Sequence, residues 1–383
     1  MTPAATEDRG ARPGKQHEMK RQRWMIYGAN GYTAALALAM AVDHWQRPVL
    51  AGRNEAAVAT VAARYGLKYR VFDLDNEVKL ESAISDMDAV LNMAGPFSAT
   101  AEPMVKACLK KGTHYLDVTG EIDVLEAVLS RDAEARDQGV CLLPGVGFDV
   151  VPTDCMAALL AGQLPDAHYL ELAIGGGKPS PGTVKTLIEG MAKGGAARIA
   201  GKITPVPAAW KTRDIPFADG VSPAVSIPWG DVATAYHSTG IPNIVTYVRA
   251  GQKDAARLRH LDTLRPFMKL KGVQSACKHL AGKWVKGPDE LQRTIGQSQV
   301  FGQVSNPEGR FVSATMTTPE AYAFTAQSSV MAMLAVLEDR VAFGAHTPSK
   351  ALGPRFVLDL RGVAMSPFVW GDKASAPLRE RTR

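Results

Sequence analysis

Short apolar runs alternate with amphipathic stretches over the first 150 residues, at the cadence of a repeating strand–helix unit. Met25-Ile26-Tyr27 predicts a buried strand that breaks at Gly28, and Thr33–Val42 predicts a small-residue helix suited to lie against a sheet. Val49-Leu50-Ala51, Tyr69–Phe72, Ala89–Met93, Thr113–Val118 and Val140–Leu143 predict five further strands. Helices are expected between them at 55–65, 76–85, from about Glu102 to Lys111, and from Ile122 to Gln138, where Gly139 supplies the stop. Near-continuous apolar strands separated by helices imply a doubly wound parallel sheet of the α/β class.

Past residue 150 the pattern becomes less regular. Residues 153–162 predict a helix and 168–174 a strand, followed by the glycine loop 175–182 and a helix over 183–193. The proline-rich stretches 203–216 and 223–229 predict extended segments, and Ala323–Val341 a long apolar helix. The expected organisation is a tail over 1–22, a dinucleotide-binding domain over 23–150, an inserted α+β substrate domain over 151–325, elements returning to the first domain over 326–365, and a basic tail over 366–383.

The first turn carries the strongest chemistry. Gly28 lets the chain leave the strand sharply, Gly31 lets backbone amides approach a pyrophosphate, and Ala34 is small enough for close helix–strand packing. The helix beginning near Tyr32 and Thr33, after Asn30, then presents its partial positive charge to the phosphates. Arg53 stands at the end of the second strand, where an acidic side chain would bind a ribose hydroxyl. An arginine there suits the 2′-phosphate of NADPH, with Asn54 beside it. Ligands of open parallel sheets sit at the carboxyl ends of the strands, which aligns Asp73, Asn92, the turn Ala94-Gly95-Pro96-Phe97, and Asp117–Glu121 with the two glycines. Asn92 and the 94–97 turn are expected beside the nicotinamide. Tyr115, Asp117 and Glu121 are the candidate proton donors; Tyr115 faces either the cleft or the sheet, and Asp117 serves equally as a helix cap. Asp149 and Asp154 read as cap or hinge residues, and Lys185 as a surface lysine that also suits an anionic substrate group.

The formal net charge of +6 is unevenly placed. The two ends of the chain are basic, and residues 253–286 hold nine basic and two acidic residues, so the remainder is slightly acidic. Little aromatic interleaving accompanies this basic segment, which argues against nucleic acid and leaves a solvated face, or a docking surface for an acidic carrier protein or an anionic membrane surface. The four cysteines are far apart with no metal spacing, no apolar run is long enough to span a bilayer, and no apolar leader opens the chain, so a cytoplasmic protein is expected. A homodimer is compatible with this composition. Gly-Gly-Gly-Lys178 is followed by proline and is no P-loop; hydrolase elbows, zinc-protease helices and the Tyr-x-x-x-Lys dyad are missing.

Four blocks carry a family resemblance: YGANGYTA with AGRN, LNMAGPFSATAEPMVKACLKKGTHYLDVTGE, LLPGVGFDVVPTD, and GGGKPSPGTVKTLIEG. Together they resemble the saccharopine dehydrogenase-like oxidoreductases, and within them the trans-acting enoyl reductases. A weaker match runs through TPEAYAFTAQSSVMAMLAVL to TPSKALG. The resemblance implies an NADPH-dependent reductase of an enoyl thioester on an acyl carrier protein or polyketide synthase, with cofactor roles for Gly28, Gly31, Arg53 and Gly95-Pro96-Phe97. It supplies no catalytic acid. Asn30 and Ala34 depart from the threonine and glycine more usual in that first turn. Reduction of a C=N bond in an opine-like adduct is the alternative within the enzyme class; such a substrate needs clustered arginines, and residues 150–250 hold only Arg198, Arg213 and Arg249, widely spaced. A non-catalytic NADP-binding adaptor is the third reading.

Overall fold

The computed structural model describes residues 23–176, 194–251, 256–257 and 295–372. Most of the glycine loop, the expected helix over 183–193 with Lys185, nearly all of the basic segment 253–286 and most of both expected tails lie outside them.

Six strands, β1 (Trp24–Tyr27), β2 (Val49–Gly52), β3 (Tyr69–Val71), β4 (Ala89–Asn92), β5 (His114–Asp117) and β6 (Cys141–Leu143), form a parallel sheet in the spatial order β6-β5-β4-β1-β2-β3. The order reverses between β1 and β4, which creates the crevice where such sheets bind ligands. Alternate strand residues feed two cores. Trp24, Ile26, Leu50, Leu91, Leu116 and Leu143 pack under helices α1 (Tyr32–Asp43) and α2 (Glu55–Tyr65). Met25, Tyr27, Val90, Tyr115 and Leu142 pack under α3 (Glu77–Ile84), α4 (Phe97–Lys111), α5 (Ile122–Leu129) and α6 (Asp132–Asp137). Burial on both faces explains why these strands read as unbroken apolar runs.

Two helices differ from the sequence expectation. α4 starts at Phe97 and carries Pro103 inside it, because its first amides, those of Phe97 and Ser98, are satisfied from a distance by the Glu121 carboxylate. The expected helix over 122–138 divides into α5 and α6 at Ser130–Arg131, where Ser130 folds back on the Ala127 carbonyl.

After β6 the chain enters α7 (Val151–Gln163) and a second, mixed sheet of ten strands. Its members are β7 (Tyr169–Gly175), β8 (Gly195–Ile199), β9 (Lys202–Val206), β10 (Thr212–Phe217), β11 (Gly220–Ser226), β12 (Asn243–Arg249), β13 (Gln297–Ser305) and β14 (Phe311–Pro319), completed by two C-terminal strands. The proline-rich stretches are thus paired strands. α7 and α8 (Asp231–Thr239) cover one face, closing a core of Met156, Leu160, Leu172, Val300 and Met316.

α9 (Ala321–Leu337) then returns to the first sheet. Its Ala326, Val330, Ala332, Met333 and Ala335 pack with Ala34, Ala37, Leu38 and Ala41 of α1, while Phe324 enters the second core. A helix apolar on all sides is one buried on all sides. β15 (Gly344–Ala345) extends the parallel sheet beside β6. The chain crosses once more through α10 (Pro348–Leu352) to β16 (Ala364–Met365) and β17 (Val369–Gly371), which both pair with β14. No helix among the described residues is long and apolar enough to cross a membrane.

Candidate functional site

The carboxyl ends of β1, β4, β5 and β6 and the start of α9 converge on one edge. Gly28 has φ +81°, and its amide donates to the Ala51 carbonyl at 2.8 Å. A Cβ on Gly28 would stand 2.9 Å from both the nitrogen and the Cβ of Ala94, so the glycine turn and the 94–97 turn are in contact. The Gly31 amide donates back to the Gly28 carbonyl at 2.9 Å. α1 starts directly after it with no side-chain cap and no acidic residue in its first turn. The neighbouring α2 and α9 are capped by Asn54 and Glu320, and α4 by Glu121. A helix start at the switch point with no side-chain cap and no acid of its own fits the pyrophosphate of a dinucleotide.

Arg53 is exposed at the end of β2 and makes no ion pair among the described residues. Asn54 spends its side-chain oxygen on the Ala57 amide, and the Asn30 side-chain oxygen lies 3.5 Å from where a Gly52 Cβ would be. Asp73 holds the Leu74 amide at 2.7 Å. Burial first, and then Asp73, push the Tyr27 phenol beneath this edge up to about 12. Tyr32, the first residue of α1, meets Tyr322 of α9 edge to face at 5.2 Å. Thr33 occupies the same first turn, partly exposed.

Beneath the crevice runs a buried polar chain. The Asn92 amide donates to Thr100 and to the Tyr115 hydroxyl, and its oxygen accepts the Ala94 amide. Tyr115 donates to Asp117 at 2.6 Å, and Asp117 accepts the amides of Thr119 and Gly145, each at 2.9 Å. Burial raises the Asp117 carboxyl to about 6 against the pull of these bonds, and drives the Tyr115 phenol well above its usual range. Asn92, Tyr115 and Asp117 are all completely enclosed, and Tyr115 faces the core under α4. Glu121 accepts the Phe97 and Ser98 amides at 2.7 and 2.9 Å, which ties the end of β5 to the Gly95-Pro96-Phe97 turn. The Thr100 hydroxyl closes that turn on the Ala94 carbonyl at 2.6 Å.

Asp149 is the residue that sequence reasoning placed only as cap or hinge. It follows β6 through Gly145-Val146-Gly147-Phe148, a loop held by Thr325 and Ser328 of α9, which bond the Phe148 amide and the Val146 carbonyl. A Cβ on Gly120 would stand 2.8 Å from the Asp149 Cβ and 3.0 Å from its Oδ2, so the carboxyl lies against the backbone at the end of β5. Burial alone pushes it up to about 6, and no hydrogen-bond donor among the described residues reaches it. Asp154, by contrast, is engaged by Ser238 and by the Ser349 amide. The readable signal for Asp149 was the paired glycines before it, which bring a strand end close to a neighbouring backbone. No group of three metal-ligating side chains exists among the described residues.

Residues 24–143 match the family profile described as the saccharopine dehydrogenase NADP binding domain. A saccharopine dehydrogenase-like oxidoreductase of Bos taurus is 27% identical over 150 residues, 34% of this chain and 35% of that protein. A Mycobacterium tuberculosis protein named as a trans-acting enoyl reductase is 30% identical over 182 residues, 43% of either chain. The chain therefore spans well under two thirds of the relatives it matches. Among solved structures, the apo saccharopine dehydrogenase (L-Glu forming) of Saccharomyces cerevisiae shares the fold, with a TM-score of 0.60 at 12% identity over 90% of this chain and 100% of that one. Both family names read from the sequence motifs recur in these matches. Over residues 24–143, its nucleotide-binding part, the chain is similar to the saccharopine dehydrogenase NADP binding domain, and the cofactor that this segment takes is NADP(H).

Proposed function

We propose that this protein is an NADPH-dependent reductase of a conjugated C=C bond in an acyl or polyketide thioester, acting in the cytoplasm on a carrier-bound substrate. The observation that carries the choice of bond is the state of the three arginines within residues 150–250. Arg198 pairs with Glu126 and donates to the carbonyls of Val232 and Gly201, Arg213 pairs with Glu171 and Gln303, and Arg249 pairs with Asp219. None of the three is left to neutralise the several carboxylates of an opine-like imine, and unpaired carboxylates in a dry cleft are costly. An uncharged enoyl group needs no such partner.

When bound, NADPH supplies the hydride that the β-carbon of the substrate takes up. Arg53 and the α1 amides hold the phosphates, and the Tyr115–Asp117–Asn92 chain with Glu121 fixes the 94–97 turn beside the ring. Asp149, whose carboxyl burial raises to about 6, would give its proton to the α-carbon, so that hydride and proton together would saturate the double bond. The basic segment 253–286 is the proposed landing site for an acidic carrier protein.

The test is cofactor consumption with a soluble enoyl thioester, with the same acyl group on a carrier protein, and with a 2-oxo acid and an amine. Turnover of the thioesters supports the reading. Turnover only with the imine-forming pair replaces it with C=N reduction. Tight NADPH binding with no turnover of any of them makes the protein an adaptor. Charge reversals within 253–286 that slow the carrier-bound substrate alone support docking; equal loss on the soluble thioester refutes it.

A further inference from the structure

We propose that Tyr322, brought back by α9 from beyond the second domain, walls the cofactor on the nicotinamide side of the pyrophosphate, so that the site is completed by a residue outside the nucleotide-binding segment. The inference rests on NADPH lying over the Gly28–Gly31 turn. Tyr322 meets Tyr32, the first residue of α1, edge to face at 5.2 Å, and both rings are partly exposed at the edge where the cofactor lies. The end of α9 is itself occupied. The Glu320 carboxylate accepts the amides of Tyr322 and Ala323 at 2.9 and 3.2 Å, so this helix offers the cofactor an aromatic ring and not a second set of phosphate-binding amides.

The helix that carries the ring is held firmly in place. One turn along, Thr325 bonds the Phe148 amide at 3.0 Å, and Ser328 bonds the Val146 carbonyl at 2.7 Å. Alanines along α1 and α9 let the two helices run in close contact. The start of α9 is therefore fixed between α1 on one side and the loop carrying Asp149 on the other. A flat ring in that position shields the bridge between the two halves of the cofactor from water, and it packs against Tyr32, whose own position the phosphates share. Arg53 stands at the end of β2, so the adenosine half that it would hold falls on that side of β1.

That asymmetry supplies the test. Titrations of the full chain with NADPH, and with the adenosine bisphosphate half of the cofactor alone, are compared for the natural protein, Tyr322→Ala, Tyr322→Leu and Tyr322→Phe. Aromatic contacts of this kind contribute up to about 1.5 kcal/mol beyond the area they bury, which sets the scale at about tenfold. Tyr322→Ala and Tyr322→Leu should each lose about tenfold in NADPH affinity, Tyr322→Phe should stay within about twofold, and the adenosine bisphosphate should bind all four proteins alike. Unchanged NADPH affinity in both the alanine and leucine variants overturns the proposal. So does a parallel loss for the half-cofactor, which would mean general damage to the fold. Failure of the natural protein to bind NADPH would instead overturn the cofactor placement beneath it.

Discussion

Replacing Gly28 by alanine tests the contact that joins the two halves of the cofactor site. Two costs act together. The backbone sits at φ +81°, where a residue with a Cβ pays about 1–2 kcal/mol. The new methyl would also stand 2.9 Å from the nitrogen and Cβ of Ala94, a backbone that cannot rotate away, and such overpacking costs about 1–3 kcal/mol. Against this, the unfolded chain loses freedom worth about 0.4–1 kcal/mol. The net destabilisation is about 3 kcal/mol. Gly112→Ala is the matched control. Its φ is +68°, at the end of α4, and nothing lies within 4 Å of the added Cβ, so it carries the backbone cost alone, about 1 kcal/mol net. Urea unfolding of the two variants isolates the clash as their difference. NADPH titration reads its functional side: separating Gly28 from Ala94 displaces the phosphate turn from the 94–97 turn, and affinity should fall at least about tenfold in Gly28→Ala and not in Gly112→Ala. Equal destabilisation of the two variants, or natural affinity in Gly28→Ala, would refute the packing argument.

Arg53→Ala should weaken NADPH by about ten- to a hundredfold, the scale of a lost charged hydrogen bond, and leave NADH unchanged; a proportional loss for both cofactors would remove the 2′-phosphate role. Asp149→Asn should lower turnover by about a hundredfold or more with NADPH affinity intact, and the natural rate should fall as pH rises through about 6, because the donor must be protonated. The same carboxyl has its folded pKa raised above the unfolded value of 3.8. The folded state therefore holds the extra proton between the two values, and the group's contribution declines as pH climbs from about 4 to 6. Asp149→Asn should accordingly be more thermostable than the natural protein at neutral pH and lose that advantage below about pH 4; an advantage independent of pH would contradict the assigned burial. Glu121→Ala leaves two α4 amides without their acceptor and should cost about 2 kcal/mol in chemical unfolding, with Glu121→Gln in between. No measurable loss would mean that the amides find another partner.

The parallel sheet was legible because its strands are buried on both faces, so residues such as Ile26, Leu91 and Leu116 leave an unbroken apolar trace, and because Gly28 and Gly139 punctuate the elements where a left-handed residue is required. The start of α4 was hidden, since Pro103 argues locally for a helix beginning nearby, and the Glu121 carboxylate that supports the extra turns comes from another strand. β9 to β11 contain Pro205, Pro216 and Pro223, residues that strands usually lack, so their pairing was masked by composition. Asp149 carried a signal only in its preceding glycines; its raised proton affinity comes from burial, with the Gly120 backbone, from another strand end, against its carboxyl. The partners of Arg198, Arg213 and Arg249 were equally out of reach, because Glu126, Glu171 and Asp219 meet them only through the tertiary fold.

The late return of α9 and β15 has a consequence for synthesis. β6 ends at Leu143 and its partner β15 begins at Gly344, about 200 residues later. At roughly 5–20 residues per second, a nascent chain waits on the order of ten to forty seconds before its first sheet can be finished. Throughout that interval the alanine-rich face of α1, which α9 covers in the finished protein, has no cover, and the edge of β6 has no neighbour. The sheet that emerges first is thus among the last to close, and its open edge and uncovered helix face persist while the second domain is translated.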